Sequence, residues 1–337
     1  MTRALVGFLV AVALAAALGA AGQAAGSLDV LRFLSEVLLY LAMAEMWNLL
    51  AGYAGLLCLG QQMFVGVGAY GLFYAALALN VSPYWVIPVA PLLGALFAAV
   101  SALFLFRLRV VFFAIGTWVL SEVLAAICSG QPVLGGSSGF SLSPVVPLVN
   151  FDWFDVTVFW IAAAIAILTT GGAYLLMRSP IGLGLMSVRD NDLAAASLGV
   201  DVWRNRFVAF VISGAGCAAA GAVYYMATLA VNPTQGFDPN WSVSMLFITI
   251  VGGIGTLEGP IIGTIIYFAL QELFTNTIVD VWPDAPTGTL YLCAVGLVAM
   301  LAMLYAPNGL WPMVQGRFGV AGLSVRRRSR RAAALGR

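Results

Sequence analysis

Few residues in this chain are of a type that does chemistry, and their kinds and spacing narrow what that chemistry could be. Three carboxylates, Glu45, Glu122 and Glu272, stand inside or at the ends of long apolar runs. A charge in such a place costs several kcal/mol unless it is paired or wet. Each therefore needs a partner, and Arg107, Arg109, Asn48, Gln61 and water are the candidates. A second group, Arg189, Asp190, Asn191 and Asp192, is followed by Ala194, Ala195 and Gly199 in the stretch "SVRDNDLAAASLGVD", with Arg178 before it and Arg204 and Arg206 after it. The cysteines, Cys58, Cys128, Cys217 and Cys293, are far apart, lack metal-ligand spacing and read as buried free thiols. No metal site is expected.

What is missing excludes more. The chain has no His, and all fifteen of its basic residues are Arg. A Ser-His-Asp triad, a His-ligated metal and a lysine Schiff base are all ruled out. So is a phosphate-binding loop of the G-x-x-x-x-G-K-[ST] type, which needs its Lys. No nucleophile, base and metal ligands group together, so the chain does not read as an enzyme and no cofactor is expected to bind it. Any work driven by ATP must draw on another chain.

The elements that position these residues follow from composition. The chain is 62% apolar and 9% charged, with mean hydropathy +1.00, whereas soluble domains carry roughly a quarter charged residues. A spanning helix needs about 20 apolar residues. Runs of this kind predict about ten spans, near 4–20, 30–51, 61–79, 83–106, 110–128, 154–177, 206–226, 241–255, 260–274 and 288–305. The expected fold is all-α: a polytopic inner-membrane bundle with broken helices, a short cytoplasmic helix in the loop 178–206, a membrane domain over 1–311 and an Arg-rich tail over 312–337.

Arginine placement sets the orientation, because basic loops stay in the cytoplasm. With both termini inside, every arginine except Arg32 falls on the cytoplasmic side. The first segment, ending "GAAGQAAG", also has the form of a secretory signal, with cleavage conceivable after Ala24. A retained first helix is the preferred reading, and orientation is the same either way. The tail "VRRRSRRAAALGR" reads as a contact with anionic lipid headgroups, not with nucleic acid. The outer loops carry Asp29, Asp152, Asp155, Asp238, Asp280 and Asp284, which makes that face acidic.

Two glycine-rich breaks stand out. Gly52, Gly55, Gly60, Gly66 and Gly68 surround the first, and Gly252, Gly253, Gly255, Gly259 and Gly263 the second. Non-helical backbone at membrane depth is tolerated only against protein or water, and broken helices often line transporter sites. Glu45, Gly52, Tyr53, Gly55, Gln61, Gly66, Gly68, Glu122, Gly252, Gly253 and Gly255 are candidates for a translocation path. Close helix packing accounts for any single glycine equally well.

The loop from Arg178 to Arg206 reads as a short helix. Asp190 is its expected N-cap, Asp192 adds negative charge to the first turn, and Gly199 ends it in the left-handed conformation. Leu193, Ala196 and Val200 share one stripe. So short a helix is marginal alone. It lies at the lipid boundary, fastened by Trp203 and the flanking arginines, or it docks into a groove of a partner.

The segment "RSPIGLGLMSVRDNDLAAASLGVDVWRNRF" resembles the cytoplasmic signature of permease subunits from bacterial ABC importers of the branched-chain amino acid family. The matching residues are Arg178, Ser179, Gly182, Val188, Arg189, Asp190, Asn191, Asp192, Ala194, Ala195 and Gly199. Leu193 stands where the wider importer superfamily has Glu, and Leu183 and Gly184 where a basic residue is usual. "WNLLAGYAGLLCLGQQMFVGVGAY", "VGGIGTLEGPIIG" and "APNGLW" resemble three further blocks in the family's order, with Cys58 and Gln61 replacing a Ser and a His. The order favours the LivM-like half of the permease pair over the LivH-like half.

The resemblance implies two cytoplasmic ATPase subunits that use ATP, a LivH-like second permease and an extracytoplasmic substrate-binding protein. Arg189, Asp190, Asn191, Asp192, Ala194, Ala195 and Gly199 would couple the chain to its ATPase, and branched-chain amino acids would be the cargo. The loops 130–144 and 232–240 are candidates to meet the binding protein. The competing function is an ion-coupled secondary transporter that uses Glu45, Glu122 or Glu272 and needs no ATPase.

Overall fold

The computed structural model describes residues 28–108, 110–148, 153–274, 287–306 and 309–318. The expected first span and the tail beyond residue 318 lie outside them. The chain folds as α1 (Leu28–Asn48), α2 (Gln62–Leu79), α3 (Pro83–Val86), α4 (Val89–Leu105), α5 (Val110–Gly130), α6 (Phe154–Arg178), α7 (Pro180–Asp190), α8 (Asp192–Ser197), α9 (Val202–Thr228), α10 (Pro233–Gly236), α11 (Asn240–Gly252), α12 (Gly259–Glu272), α13 (Thr287–Tyr305) and α14 (Leu310–Phe318). A wide π turn, Leu49–Tyr53, extends α1. Short 3-10 turns follow α5, and two-residue strands β1 (Phe140–Ser141) and β2 (Ala230–Val231) pair antiparallel.

Among the described residues, seven helical stretches are long and apolar enough to cross a membrane: 28–53, 62–79, 83–105, 111–130, 154–178, 202–228 and 290–313. The expected eighth and ninth spans are present as α11 and α12, but with 13 and 14 residues. At 1.5 Å per residue each is roughly 20 Å long, short of the roughly 30 Å hydrocarbon core. Gly253, at φ +138°, turns the chain between them.

Small residues set the packing. The longest helix, α9, starts at Asp201, whose carboxylate accepts from the Arg204 N–H at 2.9 Å. It packs on α4, α2 and α1. A Cβ on Gly68 would run into the Ala218 backbone, and one on Gly221 would stand 2.6 Å from the Val65 carbonyl. With no side chain at these positions the helices approach closely, and dispersion rather than water exclusion holds them in lipid. A smaller core joins α1 to α11, α12 and α13 through Ala44, Phe247, Ile248, Phe268 and Val295.

The loop holds two helices where one is expected. Asp190 closes α7 instead of capping the next helix. Ser179 and Pro180 start a helix earlier than the charge pattern indicates, and Asn191 is the residue that leaves helical backbone. The thiols divide as well. Cys58, Cys128 and Cys217 are buried, but Cys293 is exposed, because α13 packs on the bundle by one side only.

Candidate functional site

Everything in the loop is oriented by its caps. The Ser179 hydroxyl accepts from the Gly182 N–H at 3.4 Å and opens α7. At Asn191 the backbone is extended (φ −163°, ψ 111°), and the side-chain oxygen accepts from the Ala194 N–H at 3.0 Å, which starts α8. Asp192, in the first turn, accepts from Arg206 of α9 at 2.8 Å. That pair is partly exposed and contributes no more than about 1 kcal/mol. Gly199 ends the element at φ +83°. Its N–H bonds to the Ala196 carbonyl and that of Val200 to the Ala195 carbonyl, both at 3.0 Å, the double bond pattern of a Schellman cap.

Ala195 is the buried residue of α8, and Leu193 and Leu198 are 81% and 83% exposed. The expected apolar stripe therefore does not face the bundle. Two large aliphatic side chains point outward from a polar loop. Beside them a cleft of about 570 Å3, bordered by Leu183, Gly184, Val200 and Arg204, opens between α7 and the start of α9.

Arg189 connects this loop to the membrane bundle. One guanidinium nitrogen donates to the Gly52 carbonyl at 2.7 Å, and the others reach Asp190 at 3.2 and 3.3 Å. Gly52 lies in the π turn, whose extra residue disturbs the regular ladder. One turn earlier, the Asn48 amide donates to the Thr256 carbonyl at 2.7 Å and accepts from the Gly255 N–H at 2.8 Å. The two breaks are thereby tied to each other and to the root of the loop.

Glycine is required there by space. A Cβ on Gly52 would stand 2.5 Å from the Gly255 nitrogen. One on Gly255, which sits at φ +74°, would be 3.0 Å from both Arg189 and the Gly52 carbonyl. The joint brings together Arg189, Gly52, Gly55, Gly253 and Gly255, with Gly252 on its α11 side. What it can do is transmit displacement.

Other expected residues fall elsewhere. Gln61 is buried against α9, donating to Ser213 at 2.5 Å and Cys217 at 3.3 Å. Gly66 lies under the Phe237 ring and Gly68 against α9, which are packing roles. Glu122 is exposed and accepts from Trp118 of its own helix at 3.2 Å, and Glu272 is exposed at the end of α12. Glu45 and Tyr53 are buried close to the joint. Neither Glu45 oxygen nor the Tyr53 hydroxyl makes a hydrogen bond to a described residue. Sequence reasoning offers Asn48 only as a partner for a glutamate and overlooks Thr256. An amide four residues before Gly52, in an otherwise oily run, was the available signal.

Residues 30–306 match the family described as "Branched-chain amino acid transport system / permease component". The chain belongs to this family. The high-affinity branched-chain amino acid permease LivM of Salmonella typhimurium is 24% identical over 315 residues, 86% of this chain and 71% of that protein. LivM of Escherichia coli is also 24% identical, over 82% and 69%. The autoinducer 2 import permease LsrC of an Enterobacter strain is 31% identical over 69% of each chain. No solved structure matches. The chain is thus a LivM-like permease component and a multi-pass membrane protein.

Proposed function

We propose that this permease component is one half of the channel of an ATP-driven importer in the bacterial inner membrane, with its termini in the cytoplasm, moving branched-chain amino acids by alternating access. Two partner ATPase subunits hydrolyse ATP beneath α7 and α8, a LivH-like permease completes the passage, and an extracytoplasmic binding protein delivers cargo. The observation that supports this most is the Arg189 contact with Gly52. It gives a movement of the exposed loop a direct path to both broken helices. Leu193 and Leu198, outward on α8, suit a groove in a partner. The ribbon of β1 and β2 brings the loops 130–144 and 232–240 together, which suits a shared contact with the binding protein.

Glu45, buried with both oxygens unbonded, is the feature on which an ion-coupled alternative would rest. Reconstitution into liposomes separates the two. Uptake of leucine that requires the ATPase subunits and ATP is expected; uptake by the permeases alone, driven by a proton or sodium gradient, would overturn the reading.

A further inference from the structure

A second cavity, of about 590 Å3, opens between α1, the end of α9, α11, α12 and α13. Its wall is aromatic. Tyr40 lies 5.2 Å from Trp241 and 5.6 Å from Tyr267, centroid to centroid, and Tyr224 lies 4.7 Å from Trp241. The wall is also built, not incidental. The Trp241 N–H and the Tyr225 hydroxyl both donate to the Gln235 carbonyl, at 3.1 and 2.5 Å, and Tyr267 shares a hydrogen bond with Ser244 at 2.8 Å. These bonds fix the rings before any ligand arrives.

Carboxylates outnumber guanidinium groups around this wall. Asp238 lines the cavity. Glu36, one helical turn before Tyr40, lines an adjoining cavity of about 190 Å3 across Tyr224. The single guanidinium among the described residues lining either cavity, Arg32, is paired with Asp155 through bonds of 2.9 and 3.0 Å. Ring faces and carboxylates both attract a cation, and a neutralised Arg32 does not oppose it. Val243, Leu292 and Val295 supply an aliphatic side to the same space.

We propose that this cavity is a binding site for a ligand with an ammonium group on an aliphatic body, the ammonium resting on Trp241 and the tyrosines beside Asp238. This deepens the importer reading and rests on it: the site would receive the amino end of the cargo. The Asp238 carboxylate also accepts from the Asn240 N–H at 2.8 Å, and an amide can keep that bond, so Asp238→Asn removes charge with little change in local structure.

The test is equilibrium binding to the purified permease pair with its ATPase subunits, without binding protein, using radiolabelled leucine, isopentylamine and 4-methylpentanoate. Leucine and isopentylamine should bind and 4-methylpentanoate should not. Asp238→Asn should weaken both ammonium ligands about tenfold, close to the loss of one hydrogen bond to a charged group. Trp241→Ala should abolish binding, and Trp241→Phe should restore most of it, with thermal unfolding confirming that each variant is folded. Binding of 4-methylpentanoate as tight as isopentylamine, or unchanged affinity in Asp238→Asn, would overturn the site. If amine binding behaves as expected while leucine uptake proves independent of ATP, the site stands and the importer reading falls. If uptake needs ATP but Asp238→Asn is silent, the reverse holds.

Discussion

At the scale of the residue, Arg189 has two readings that experiment can separate. If it only stabilises the loop, its loss lowers melting temperature; if it carries displacement, its loss uncouples the two activities. Arg189→Ala is expected to reduce uptake roughly tenfold or more, in the range of a coupling energy of 1–3 kcal/mol. ATP hydrolysis by the reconstituted complex should continue. Hydrolysis and uptake falling in proportion would count against it. Gly52→Ala tests space directly, since its new methyl meets Asn48 and the Gly255 backbone. Overpacking of this kind costs about 1–3 kcal/mol, to be read as a lower unfolding temperature of the purified chain. Gly199→Val forces a β-branched residue to φ +83°, a strain of about 1–2 kcal/mol. It should impair uptake without removing the protein from the membrane, as quantitative blotting of membrane fractions would check.

At the scale of the element, α7 and α8 show where the sequence was readable and where it was not. Gly199 as terminator and Asp192 as first-turn acid follow from chain-local preferences, and both are present. The start of α7 and the position of Asn191 are different. Asp and Asn are both good N-caps, so choosing between Asp190 and Asn191 required knowing that Ser179 had already opened a helix upstream. The outward face of α8 was likewise unreadable, because a stripe of Leu193, Ala196 and Val200 says nothing about which side meets the bundle. That exposure yields a prediction. Leu193→Asp with Leu198→Asp should leave the unfolding of the isolated permease nearly unchanged, as exposed substitutions usually do. The ATPase subunits should no longer copurify with it.

At the scale of the whole molecule, seven of the expected spans were legible among the described residues because hydropathy reports each one independently, whereas the joint was not, because Arg189, Gly52 and Gly255 meet only through tertiary packing. Membrane insertion makes a further prediction. Single cysteines placed between Met186 and Val202, in a chain stripped of its four native thiols, should react with an impermeant maleimide from inverted vesicles and not from whole cells. Labelling from outside would reverse the topology on which the importer rests. One consequence concerns the wide turn at Leu49–Tyr53. A π turn holds one residue more than the α-helical ladder needs, so shifting it by one position would swivel the residue it passes by about 100°. Glu45 sits one helical turn upstream of it, so a few such steps would carry that carboxylate from a sealed interior towards a different neighbourhood. A structure of the complex trapped with ATP would reveal the migration as a shifted register in α1.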